Sequence, residues 1–178
     1  MINTLIISTN DLKSNTIIEN NLEDHVILPN IINAHLVDLQ EVLGDVFFAD
    51  LLNKVRTETT NTDEDFLIDS YIIPFLIQVS LYRCIPYLWS KFENSSIVLK
   101  ETDTQKSIDL DQLKFLRSDI KNDLDFIKQR LIRYLCDKSS LFPSYNNPDL
   151  LNPSKSAYNT TGIYLGGIED ECCKNIFK

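Results

Sequence analysis

Glycine is scarce in this chain: of the four in 178 residues, only Gly44 precedes residue 162. The first 161 residues therefore cannot build a glycine-rich cradle for phosphates, and no Walker loop or Gly-x-Ser-x-Gly elbow occurs. Histidine is limited to His25 and His35. Ten residues apart, they would fall on different faces of one helix, and neither sits in a His-Glu-x-x-His pattern. The four cysteines, Cys84, Cys136, Cys172 and Cys173, include no Cys-x-x-Cys spacing. The adjacent pair is poorly placed for a shared metal or a simple bridge, so a reduced, intracellular setting is expected. A basic excess is missing too. The net charge of −9 argues against nucleic acid as the main partner, because phosphate binding rests on Lys and Arg. The charge reads as solubility, or as a surface that repels DNA passing nearby. Met1 to Leu5 show no basic region followed by an apolar run, so no signal peptide is expected. Long apolar runs are also lacking. The most apolar span, Phe66 to Trp89, is interrupted by Asp69, Gln78 and Arg83 and holds Pro74 and Pro86. Its uninterrupted runs fall far short of the ~20 residues of a membrane span, and the span reads as a central, buried helix.

What is present is helical patterning. Ser8 with Asp11 predicts a capping box and a short helix over about 9–14. Residues 15–23 read as loop. Leu28, Ile31, Ile32, His35, Leu36, Leu39, Val42 and Leu43 recur at helical spacing, with Pro29 in the first turn and Gly44 as a left-handed end. Asp45 then caps a helix with the face Phe47, Phe48, Leu51, Leu52 and Val55. Residues 57–65 form a polar loop, and Thr62 with Asp65 caps the central helix, which Pro74 and Pro86 should bend or break. A hairpin is expected over about 96–108, pairing residues 97–100 with 105–108. The clearest helix follows. Asp109 and Gln112 make its box, and Leu113, Leu116, Ile120, Leu124, Ile127, Leu131 and Leu135 form one stripe that should pack on the central helix.

No cluster in this pattern carries catalysis, a metal or a cofactor, and the expectation is a protein that is not an enzyme. Asp63-Glu64-Asp65 and Glu169-Asp170-Glu171 adjoin polar or terminal segments and read as solvated charge. His35 lies on an apolar stripe and reads as a satisfied core histidine. Lys114, Arg117, Lys121 and Lys128 form a basic stripe interleaved with Asp119, Asp123 and Asp125. That reads as a salt-bridged surface or a contact for an acidic subunit. Tyr71, Phe75, Tyr82, Tyr87 and Trp89 read as core packing of the central helix.

After Ser139 helical periodicity stops, and three of the six prolines and three of the four glycines follow. The expected organisation is a helical body over 1–138 and an extended arm over 139–178. Leu141-Phe142-Pro143-Ser144-Tyr145 closes the long helix with an aromatic staple. A spacer runs on to Asn159, and Thr160 to Ile168 carries the apolar Ile163, Tyr164, Leu165 and Ile168. Fully extended, such an arm would span on the order of 100 Å, enough to reach a neighbour and add a strand to it. Phe142, Tyr145, Tyr158, Ile163, Tyr164, Leu165 and Ile168 are the arm residues expected at a subunit interface. The fold class is thus mainly α: a helical bundle with a small hairpin and a long extended arm.

Several stretches carry a resemblance: Leu5-Ile6-Ile7-Ser8-Thr9-Asn10-Asp11-Leu12, Leu39-Gln40-Glu41-Val42-Leu43-Gly44, Tyr71-Ile72-Ile73-Pro74, Leu135 with Phe142-Pro143-Ser144-Tyr145, and Thr161-Gly162-Ile163-Tyr164-Leu165-Gly166. Together they resemble head–tail connector (adaptor) proteins of tailed bacteriophages, including ring proteins of crAss-like phages. The resemblance implies a virion neck protein in a homo-oligomeric ring, typically of twelve copies, under the portal protein. Such a ring contacts the tail or other neck rings and extends a channel through which DNA passes without specific binding. It implies no cofactor, no membrane and no catalytic residues. The competing reading is a soluble helical regulatory or binding module acting through its acidic surface.

Overall fold

A computed structural model describes residues 4–92, 97–99 and 109–146. The chain is mainly α-helical, and its three longest rods pack side by side. Helix α1 spans Thr9–Asn15. The first rod is α2, Asp24–Asn33, a π-helical segment Ala34–Leu39, and α3, Gln40–Leu43. After Gly44, α4 covers Asp45–Thr57. The central rod is α5, Thr62–Leu67, a second π segment Ile68–Ile72, and α6, Ile73–Trp89. Two short strands follow, β1 (Ser90–Phe92) and β2 (Ile97–Leu99). The third rod is α7, Leu110–Asp137, and a 3-10 turn over Pro143–Asn146 closes the described chain. The central rod touches α1, the first rod and α7.

The π segments have readable causes. Ile27, Ile31, His35, Leu39 and Leu43 are all buried, each four residues from the next. In a regular α-helix a four-residue step drifts ~40° around the axis, so this stripe would wind off the core. The wide π turns over Ala34–Leu39 undo that drift. They also overturn part of the expected face, because Leu28 and Leu36 are 39% and 42% exposed. In the central rod the Ile73 amide donates five residues back to the Ile68 carbonyl, just before Pro74, which has no amide to give. The wider turn absorbs the proline, and the rod runs on from Thr62 to Trp89 through the two prolines that were expected to bend or break it. Pro86 is likewise accommodated inside α6. Residues Thr62–Leu88 are long and apolar enough to cross a membrane by length and composition. With Asp69 and Arg83 in the span, and α1, α2 and α7 packed around it, the segment is the core of the bundle.

Other ends differ in detail. The α1 box forms as expected: Ser8 Oγ accepts from the Asp11 amide at 3.2 Å, and Asp11 Oδ2 accepts from the Ser8 amide at 2.7 Å. At α5 the box moves back one residue, to Asn61 and Glu64. The reason is Glu64, which is buried and also bound to Lys54 Nζ at 2.6 Å, so it takes the N3 role rather than Asp65. Helix α2 begins at Asp24, which leaves Pro29 inside the helix on its exposed side rather than in the first turn. Gly44 has φ 77° and ψ 158°, extended with positive φ rather than left-handed helical, a conformation open essentially only to glycine. It also holds the N-cap position of α4, and Asp45 instead accepts from Gln40 Nε2 at 2.6 Å.

β2 pairs antiparallel with the upstream residues, Ser90 opposite Leu99 and Phe92 opposite Ile97, while its expected partners 105–108 lie outside the described residues. The turn-forming run Glu93-Asn94-Ser95-Ser96 lies between the two strands in sequence. Residues 93–96 and 100–108 lie outside the described residues.

Body and arm do not divide at residue 138. Past α7 the chain folds back, and Phe142 and Tyr145 are 1% and 2% exposed. Phe142 meets Phe47 with ring centroids 5.6 Å apart, and Tyr145 meets Phe47 edge-on at 6.0 Å. The packed body therefore continues to Tyr145. The segment with Tyr158, Ile163, Tyr164, Leu165, Ile168, Cys172 and Cys173 lies outside the described residues.

Candidate functional site

Helix α7 carries a long exposed side. Its 28 residues make a rod ~42 Å long. One face, with Leu113, Ile120, Leu124, Leu131 and Leu135, is buried against the bundle. The opposite side carries Phe115 and Phe126, which are 77% and 69% exposed. Eleven residues is about three turns, so the two rings stand on one side of the rod. They are the most exposed aromatic side chains among the described residues. Phe126 borders a shallow cleft of ≈ 250 Å³ that it shares with Tyr71, Arg130, Arg133 and Tyr134.

From that cleft an aromatic ladder leads inward. Tyr71 and Tyr134 stack at 4.2 Å, Arg130 lies over Tyr71 at 5.0 Å, and Tyr134 meets Phe142 at 6.3 Å. Phe66, 52% exposed, leans on both tyrosines at about 6 Å. Burial, the neighbouring Tyr71 and Asp63 together push the Tyr134 phenol above its usual range. The ladder ties the surface of α7 to the Phe47 core.

The basic stripe is split by the fold. Lys114 stays at the surface, paired with Asp111 at 3.0 Å. Arg117, Lys121 and Lys128 come together with Arg83 of α6 around a cavity of ≈ 460 Å³ between the first rod, α6 and α7. Lys114 pairs within α7, whereas Lys128 and Arg83 pair across elements. Lys128 reaches Glu41 at 3.3 Å, and Arg83 Nε donates to Asp38 at 2.6 Å. The Arg117 guanidinium lies over the Tyr82 ring at 4.6 Å. Among the described residues none of the stripe forms an ion pair with Asp119, Asp123 or Asp125, although Asp125 lines the same cavity.

Of the arm residues expected at an interface, Phe142 and Tyr145 are buried against Phe47 of their own chain. Phe115 and Phe126 were missed, although their signal was present: two phenylalanines off the leucine stripe of a long amphipathic helix.

The buried polar groups are structural. His35 is fully buried, and its Nδ1–H donates to the Ile31 carbonyl at 2.8 Å while Nε2 accepts from the Ile6 amide at 3.1 Å. Accepting from Ile6 requires Nε2 to be unprotonated and so the ring to be neutral, and burial lowers its pKa, opposed by the Ile31 bond. His35 thus pins the N-terminal segment onto the first rod, the satisfied core histidine expected of it. Cys84 and Cys136 are both buried. Burial pushes the Cys84 thiol up to about 11, against a hydrogen bond from Asn30. Among the described residues no group of three or more His, Cys, Asp or Glu side chains is placed to hold a metal ion.

The chain belongs to DUF6712, a family of unknown function, which it matches over residues 39–155. That match takes in α4 to α7, including both exposed phenylalanines and the four cations at the cavity, but not His35 or α1. No curated protein matches the chain, and no solved structure does.

Proposed function

We propose that this member of DUF6712 is a structural virion protein, a head–tail connector subunit that forms a homo-oligomeric ring between the portal and the tail. The observation that carries the reading is the outer side of α7, where Phe115 and Phe126 stand 77% and 69% exposed on a rigid rod. Leaving two large apolar rings in water is costly, roughly 25 cal/mol per Å² that a neighbour would cover. A ring repeats one such contact from copy to copy, and a long, backed helix suits it. The resemblance of the segments at 5–12, 39–44, 71–74, 135–145 and 161–166 to phage connectors supports the same assignment.

On this reading the hairpin and the extended arm are the finer devices of assembly. Tyr158, Ile163, Tyr164, Leu165 and Ile168 reach a neighbouring subunit, the portal or an adjoining neck ring. The net charge of −9 keeps passing DNA from sticking to the channel. The protein resides in the virion after assembly in the bacterial cytoplasm, with no cofactor and no enzymatic step.

Mass spectrometry of purified particles from the encoding phage tests the assignment. A connector is present in a fixed, multi-copy ratio to the portal protein. Its absence from intact particles, with abundant protein in infected cells, would instead favour a soluble regulatory module.

A further inference from the structure

We propose that the cavity between the first rod, α6 and α7 is a binding site for a small molecule with an oxyanion head, a carboxylate or a phosphate, seated on Arg117 and Lys121. Four cations line it, Arg83, Arg117, Lys121 and Lys128, against three acids, Asp38, Glu41 and Asp125, so its lining is formally 4 − 3 = +1. The chain as a whole carries −9. Two of the acids are already engaged, Asp38 by Arg83 at 2.6 Å and Glu41 by Lys128 at 3.3 Å. Arg117 and Lys121 are left. Neither makes an ion pair among the described residues, and Asp125 is the one remaining counter-charge in the lining.

Arg117 is prepared for such a ligand. Its guanidinium carbon lies over the Tyr82 ring at 4.6 Å, a contact that leaves its N–H groups unused. Its Nε is buried and has no hydrogen-bond partner. A buried, unsatisfied donor is costly, and an oxyanion accepting from Nε–H and a neighbouring N–H through two of its oxygens would satisfy it. Lys121, one turn further along α7, adds a point charge on the same side. Phe75 and Val79, both nearly fully buried, contribute an apolar part of the wall. The volume of ≈ 460 Å³ falls in the small-molecule range and exceeds a bare anion, so the head group belongs to a larger ligand whose body lies along that wall. The site is independent of the neck assignment, since neither Phe115 nor Phe126 lines it.

Titration of the full-length protein with inorganic phosphate and with malonate, at constant ionic strength and against chloride, tests this by amide chemical shifts. A saturable response to either probe supports the site, and which probe binds distinguishes a phosphate head from a carboxylate head. Arg117→Gln and Lys121→Gln should each weaken that binding at least tenfold, while Lys114→Gln, outside the cavity, leaves it unchanged. No saturable response to either probe overturns the proposal. So does unchanged affinity in Lys121→Gln, which keeps the test open even where Arg117→Gln fails to fold.

Discussion

Acidification to pH 5 should loosen the protein through His35. The ring is fully buried and makes one donated and one accepted hydrogen bond, to the Ile31 carbonyl at 2.8 Å and from the Ile6 amide at 3.1 Å. A proton on Nε2 would destroy the acceptor and place a charge in the core. Its folded pKa is therefore lowered from 6.5, with burial as the larger cause. In the unfolded chain the ring protonates as pH falls through 6.5, while in the folded chain it does not yet do so. The unfolded state then binds more protons, and stability falls with pH. Between pH 6.5 and 5 the loss is bounded by 1.36 kcal/mol per pH unit, or about 2 kcal/mol in all. That corresponds to ~4–8 °C in Tm for a chain of this size. The other lowered groups do not interfere. Asp11, held down by its hydrogen bonds from Ser8, and Asp24, held down by Lys13, have folded pKa values below 3.8, so their contributions are intact down to about that pH. Urea titrations at pH 7.5 and 5.0 on wild type and His35→Leu measure the effect. The variant loses about 1–3 kcal/mol at pH 7.5, because the Ile6 amide loses its acceptor. It should also lose the His35 part of the pH dependence. Equal pH slopes in the two proteins would refute the argument.

Phe142→Ala should cost about 3–5 kcal/mol, since the ring is 1% exposed and packs on Phe47 and Tyr134. Equilibrium unfolding of the full chain measures it, and a cost under 1 kcal/mol would mean the staple is not core. Truncation gives a matching pair. A chain ending at residue 146 should keep its helical circular dichroism and most of its Tm, whereas one ending at residue 138 loses both aromatic anchors and should unfold well below it. Equal melting of the two would return the body's boundary to residue 138.

How much was legible in the sequence depended on whether the signal was local. Helix α7 was readable end to end because Asp109, Gln112 and a three-and-four leucine stripe agree with one another. Helix α1 was readable for the same reason, from Ser8 and Asp11. The π segments were not: the four-residue stripe from Ile27 to Leu43 looks α-helical by composition, and its drift appears only when the rod must stay on the core. The cap at α5 slipped by one because Asn61 and Thr62 are both competent, and Lys54 decides between Glu64 and Asp65 from another helix. The staple Phe142 and Tyr145 was visible as a motif, but its partner Phe47 lies about a hundred residues away in sequence. The basic stripe was visible as four cations. That three of them gather with Arg83 around one cavity is a product of tertiary packing.

The central claim is that α7 is the contact helix of a neck ring. Cryo-electron microscopy of intact particles, resolving the head–tail junction, tests it most directly. The expected result is this chain in a ring beneath the portal, with Phe115 and Phe126 of each copy buried against the next. A junction built wholly from other proteins would contradict the claim, as would a ring in which both phenylalanines remain in solvent.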